Sequence, residues 1–338
     1  VKLLLLFAAV AWATADSSFQ RFSGIPVLAY SEETGLQYGA MGMLYLKPFS
    51  TMDPGGQIDL AIVGTTRSQK RTVLTGTYWL ANGKWRVEQD VEFTDWPAYY
   101  WEGGNHPQDS AYAYRMEFLQ SAHQFLRKIG DFRLGLELDL EWNQTTMEAD
   151  LALKQGGRRM GAGYSLQYDT RDHENWPRQG ILAWWKQAAY SPWIGSEWTY
   201  IDEVLDLRAF FPGPWKSAWG FASYWEGVLG DAPFDRLATP DGTYRMRGLE
   251  KGRLSDRQQW VLQAEWRLPL FWRFYGVAFA EAGKVAPHFG GLLKEDFHPV
   301  LGVGGRMSLN TDRKVHVRGD LSWVDGGIGL TIYYKESF

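Results

Sequence analysis

Three residues have the types and spacing to form a buried ion cluster: Arg247 in "YRMRGLEKGRLSD", Glu265 in "QAEWRLPL" and Glu281 in "VAFAEAGKV". A guanidinium is a rigid planar fork that can serve two carboxylates at once, which suits it to this role better than lysine. Gly248 beside it allows close backbone approach. The competing reading is an arginine solvated on a loop, and spacing alone does not separate the two. Other chemistry lacks its residues. There is no H-E-x-x-H and no G-x-S-x-G, Ser165 lying in "GAGYSLQ". Six His and no Cys show no metal-ligand spacing. "GVGG" at 302–305 is followed by no helix that could receive a nucleotide phosphate. His316 and Asp320 share a strand face but stand two strand steps apart, too far for a base and its orienting acid, and read as members of a polar interior network. No catalytic residue, metal or cofactor is therefore expected.

The segments carrying these residues alternate with period two. "QQWVLQAEWRLPL" sends Trp260, Leu262, Ala264, Trp266 and Leu268 to one face, and Gln263, Glu265 and Arg267 to the other. "RLGLELDLEW" separates four leucines and Trp142 from Arg133, Glu137, Asp139 and Glu141; "KWRVEQDVEF" does the same with Gln89 as its one lapse. Such strands have one greasy and one charged face. The chain opens "VKLLLLFAAVAWATAD", a basic residue, a short apolar run and a small-x-small site, which predicts an export signal over 1–15. With no Cys, stability must come from a large core or a closed sheet. A net charge of −4 does not point to nucleic acid, and no such partner is expected.

An exported soluble sandwich would also alternate. Aromatics at 16% of the chain, Trp and Tyr near segment ends, even punctuation and a terminal Phe338 favour a transmembrane barrel. The expected class is all-β: an antiparallel barrel of about 16 strands over 25–338, preceded by a short periplasmic segment at 16–24. Each strand and turn then takes roughly 20 residues, enough for the ~10 that cross a bilayer. Short connections such as "NGK" alternate with long ones such as "GDAPFDRLATPDGTYRMRGLEKGRLSDRQ", so the stretch holding Arg247 is an outside loop long enough to fold into the lumen. The last strand, "GGIGLTIYYKESF", crowds Gly326, Gly327 and Gly329 at its outer end. Either they weaken its pairing with the first strand, or they simply make the final hairpin. Glu336 is expected to interrupt the lipid face at headgroup level.

"MRGLEKG" followed by "QAEWRLPL", "VAFAEAGKV", "LGVGGRMSLN", "VHVRGDLSW" and "YYKESF" resembles the BamA/TamA outer-membrane superfamily, the bacterial surface antigen family. Upstream, "YDTRDHENWPRQG" is similar to its periplasmic turn at Asp169, Arg171, Asp172, Pro177 and Gly180. The resemblance implies a loop lock of Arg247 and Gly248 on Glu265 and Glu281, with Arg267 beside them. Leu249 replaces the usual aromatic, and Glu281 the usual Asp. It also implies a non-enzymatic barrel of the bacterial outer membrane that inserts or translocates proteins, or handles lipid. A passive pore and a barrel hydrolase are the alternatives. Implied partners are outer-membrane lipids, machinery reading the C-terminal strand, and, for a member lacking polypeptide-transport-associated domains, a separate periplasmic or lipoprotein partner.

Overall fold

The computed structural model describes residues 21–31, 35–47, 55–147, 153–311 and 313–338; the predicted signal and most of the short segment after it lie outside them. Sixteen strands form one antiparallel sheet in chain order. They are β1 Phe22–Ser31, β2 Gly35–Tyr45, β3 Gln57–Thr65, β4 Lys70–Leu80, β5 Trp85–Trp101, β6 Ala111–Ile129, β7 Phe132–Met147 and β8 Gly157–Asp169. There follow β9 Gly180–Tyr190, β10 Thr199–Pro212, β11 Ala218–Asp231, β12 Gln258–Phe271, β13 Phe274–Ala286, β14 His298–Asn310, β15 Val315–Val324 and β16 Gly327–Tyr334. The expected all-β architecture and strand number hold.

The alternation decides what faces what. Leu134, Leu136, Leu138 and Trp142 of β7 are exposed to the outside, whereas Glu141 is buried in the lumen. The same division holds on β15, with Leu321 and Trp323 outward and His316, Arg318 and Asp320 inward. Trp193 stands at an outer connection, and Trp215 and Trp272 at inner ones, all widely exposed. This is the paired aromatic girdle of a membrane barrel. The Gln89 lapse has a partner: its Nε2 lies 3.3 Å from His123 Nδ1, and His123 Nε2 lies 2.8 Å from Ser121 Oγ. Polar atoms on that outward face thus satisfy one another.

The sheet's two ends meet without a ladder among the described residues. Instead they overlap. Met307 and Val317 share the outward face of Val303 and Leu321, yet they pack with Val315 and Leu309 onto lumenal Ile25, Met41, Met43 and Tyr45 of β1 and β2. The outer apolar face of the last strands therefore lies against the inner apolar face of the first. Water-facing isoleucine and methionine on a barrel's inside would be costly; covering them recovers about 25 cal/mol per Å². Polar ties add to the overlap: Lys335 Nζ lies 3.0 Å from Asp59 Oδ2, and Arg313 donates to Leu46 O and Gly55 O.

Candidate functional site

The 26-residue connection from β11 to β12, residues 232–257, enters the lumen and is held at three places. At its start Asp235 meets Arg159 (2.9 Å) and Asn143 (2.8 Å), while Arg236 pairs with Glu141. In the middle, Arg245 stacks on the Tyr224 ring, 3.4 Å from its centroid, and pairs with Asp241. Beyond it, Arg247 is fully buried among strands β12 to β15.

Arg247 donates its backbone N–H to Glu281 Oε2 (2.8 Å) and its Nε to Glu281 Oε1 (2.6 Å). Its Nη1 lies 2.7 Å from Glu265 Oε1 and 3.4 Å from Asp320 Oδ2, and the guanidinium covers the Phe279 ring at 3.4 Å. One fork thus gathers acids from three strands. Asp320 also accepts Arg306 Nη1 (2.6 Å) and Arg318 Nη1 (2.7 Å). Four arginines (247, 267, 306 and 318) face four carboxylates (265, 281, 320 and 336), so the network is close to neutral, as burial requires.

The network continues into the C-terminal tail. Lys335 adopts φ +63°, and the chain turns away from β16 into the lumen. Glu336 is consequently buried between Arg306 Nε (2.8 Å) and His316 Nδ1 (3.0 Å), not set among headgroups as its place in the alternation predicts. Burial alone would push its carboxyl up; Arg306 and His316 outweigh this and hold it well below the usual carboxylate range. Ser337 donates to Tyr244 O of the loop, and Gln263 Nε2 bridges Ser337 Oγ, Tyr244 O and Glu281. Arg267 stands apart from the Arg247 side chain. It pairs with Glu265 (2.9 Å), donates to Phe338 O (2.7 Å), and lies among the Trp176, Phe210 and Phe338 rings.

Trp176 comes from the 170–179 connection on the inner side. Asp169 pairs with Arg171, and Asp172 Oδ1 accepts the N–H groups of Arg178 and Gln179. Gly180 has φ +106°. These bonds close the turn so that Trp176 seats against His316 and Tyr275, while Asn175 donates to Arg313 O. Loop, tail and turn thus converge on the same strands inside the lumen. Nothing in the motif residues pointed to Trp176; a tryptophan beside Pro177 in a polar turn was the available signal.

The glycines of β16 divide in their roles. Gly326, at φ +73°, makes the hairpin. Gly329 is where the loop lands: a Cβ there would lie 2.6 Å from Gly248 Cα, and one on Gly248, which has φ +84°, would lie 2.9 Å from Gly329 Cα. Gly329→Val is therefore expected to lift the loop tip off β16 and to raise protease cleavage near Lys251 in intact cells several-fold. Equal cleavage of variant and wild type would show that the contact does not hold the loop.

The Omp85 superfamily domain matches residues 62–290, more than half of the chain. The fold is similar to BamA from Haemophilus ducreyi lacking POTRA domains 1-3, with TM-score 0.59 and 11% identity over 98% of this chain and 74% of that one. It is also similar to CdiB from Escherichia coli (TM-score 0.62, 9% identity, 98% and 66%) and CdiB from Acinetobacter baumannii (0.60, 11%, 99% and 65%). This chain thus spans about two thirds to three quarters of their lengths, and identities this low speak for the fold alone. A search of curated protein sequences gives no match. The superfamily's barrels are outer-membrane insertases and transporters rather than enzymes. Sixteen antiparallel strands and a domain match across the middle of the sheet place the chain in the Omp85 superfamily.

Proposed function

We propose that this barrel assists the insertion or translocation of polypeptides at the bacterial outer membrane, acting at the seam between β1 and β16 with a separate periplasmic partner. The observation that carries the reading is the overlap. Strands elsewhere are joined by 8 to 17 paired residues, whereas the first and last are held by side-chain packing and a few polar ties. Such a contact can part without breaking a ladder of backbone hydrogen bonds. A passive pore has no use for an unladdered seam.

The chain has no cysteine, so a seam lock can be introduced cleanly. Ile25→Cys with Val315→Cys places two thiols in one buried cluster across the overlap. In proteoliposomes supplied with periplasmic extract and an unfolded porin, bridging this pair with a short cleavable thiol crosslinker is expected to cut the yield of protease-protected porin at least tenfold, with cleavage of the linker restoring it. Undiminished yield from the bridged barrel would rule out seam opening.

A further inference from the structure

We infer that the outward face of β13 is a binding furrow for an anionic phospholipid of the periplasmic leaflet, with an acyl chain along the strand and the phosphate between Lys216 and Arg273. The outward residues of β13 are Gly276, Ala278, Ala280 and Ala282, so no side chain there is longer than a methyl. Ala264 of β12 sits beside Ala280. Trp219 and Trp266 stand along one side, stacked at 5.7 Å between ring centroids, and Leu301, Val303 and Trp323 along the other. The groove between them measures about 720 Å³, within the ~300–1,000 Å³ of small-molecule sites. Glu265 and Ser322 border it only from behind the sheet, their side chains buried on the lumenal side. At its inner end the groove stays open, since a Cβ on Gly305, paired with Gly276, would meet nothing within 4 Å. From Gly276 to Ala282 a strand tilted by ~40° spans roughly 15 Å of membrane depth, the hydrocarbon thickness of one leaflet. Trp266 and Val303 face each other across β13 two strand spacings apart, roughly 10 Å, which admits a hydrocarbon chain and not an α-helix ~10–12 Å wide. Strands β11 to β15 are paired on both sides, so no backbone edge is free to take up a peptide strand.

The inner end of the furrow supplies the charge. Lys216 lies in the β10–β11 turn, and Arg273 directly precedes β13 in the β12–β13 turn. Trp215, next to Lys216, has its ring 6.5 Å from that of Trp266 in the groove wall. Neither cation has a carboxylate within ion-pair distance among the described residues, and neither turn contains Asp or Glu. The adjoining 170–179 connection does hold acids, but they are engaged: Asp169 with Arg171, Asp172 with the N–H groups of Arg178 and Gln179, and Glu174 with Arg86. Trp215, Lys216 and Trp272 take φ of +53°, +58° and +47°, left-handed backbone in which glycine would be unstrained. Keeping bulky aromatic and basic residues there points to a use for their side chains. Tryptophan belongs at the headgroup boundary, and the Arg273 guanidinium lies 5.5 Å from the Trp272 ring centroid. Basic groups at a membrane surface attract anionic lipid. An apolar furrow that ends at two such cations selects an amphiphile over a free phosphate. The inference rests on the membrane-facing surface and does not require that the barrel insert proteins.

The test uses vesicles of phosphatidylethanolamine and phosphatidylglycerol holding the whole chain, with phosphatidylglycerol bearing a diazirine on its acyl chain as the probe. Photolysis and peptide mapping are expected to label Ala278 and Ala280 at least fivefold more than Leu136 and Leu138 on the outward face of β7, which meet bulk lipid. The double turn variant Lys216→Gln/Arg273→Gln should bring the furrow down to the level of β7, and so should Ala280→Phe, which fills it. Heat-shifted gel migration verifies that each variant is folded, and the turn variant, whose substitutions lie outside the strands, carries the test if the strand variant is not. Phosphatidylcholine bearing the same diazirine should label furrow and β7 alike. Equal labelling of furrow and β7 by the phosphatidylglycerol probe, or unaltered furrow labelling in the folded turn variant, would overturn the inference. Preferential furrow labelling by the phosphatidylcholine probe would also overturn it, because the furrow would then take any acyl chain. Excess glycerol phosphate should not compete. If it abolishes the preference, the cations hold a free anion and the inference fails. If an amphipathic β-hairpin peptide displaces the label while unlabelled phosphatidylglycerol does not, the furrow is a polypeptide site and the inference fails as well.

Discussion

Arg247→Ala is expected to release the long loop from the lumen, raising protease nicking near Lys251 in intact cells by at least tenfold. The reason lies in what the truncation leaves behind. Glu281 loses two donors, Glu265 loses its closest cation on the loop, and Asp320 loses one of three. Glu265 and Glu281 are almost completely enclosed, so water cannot replace the guanidinium without a rearrangement. Removing one partner of a buried pair costs about 3–5 kcal/mol. Even the lower bound exceeds a hundredfold in the population of the released loop, since ~1.4 kcal/mol is tenfold. The other two anchors, Arg236 on Glu141 and Arg245 over Tyr224, keep the loop's base attached, so cleavage should concentrate between 246 and 254. Arg247→Lys should fall between, because an ammonium can face Glu281 but lacks the fork that reaches Glu265 and Asp320 together. Cleavage of Arg247→Ala at the wild-type rate would mean the cluster does not secure the loop.

Much of this was legible in the sequence because the barrel obeys one rule throughout: alternate residues see lipid and lumen. That rule places Glu265, Arg267 and Glu281 inside, and loop length places Arg247 within reach. It does not reveal Asp320 as the third acid on Arg247. Asp320 is three strands from Glu265, and only the curvature of the sheet brings them around one side chain. The resemblance puts Arg267 beside the loop lock; in the structure it shares Glu265 with Arg247 and also reaches the tail. Extending the alternation of β16 two residues past Tyr334 puts Glu336 on the lipid face; the positive φ at Lys335 ends the alternation there. The early strands resisted reading for a different cause. Ile25, Met41, Ala61 and Val63 are lumenal yet apolar, which breaks the greasy-outside pattern. They make sense only once β15 and β16 are seen to cover them, a contact between the two ends of the chain that no local pattern encodes.

Asp320→Ala is expected to do more damage than any change at the loop, leaving little or no heat-modifiable barrel at 37 °C. Arg247, Arg306 and Arg318 all converge on this carboxylate, and all are buried. Its loss turns a balanced network into one with an excess positive charge and no route to water. The cost should reach at least the ~3–5 kcal/mol of a broken buried pair, a large part of the ~5–15 kcal/mol that holds a typical folded domain. The damage should also travel. Arg306 bridges Asp320 and Glu336, so an unbalanced Arg306 frees the tail that packs Phe338 against Phe210. Glu336→Gln separates the two effects: it releases the tail yet leaves Asp320 and its three arginines in place, so the barrel should still fold. Acid offers an independent check on Glu336. Its carboxyl is held down in the folded chain, so its contribution is complete above the ~4.3 of a free glutamate and is lost only as pH falls through the lower folded value. Carboxypeptidase removal of Phe338 should thus be equally slow at pH 7 and pH 5 in the wild type and fast at both in Glu336→Gln. Folded yield of Asp320→Ala equal to that of Glu336→Gln would show that Asp320 is not the centre of the network.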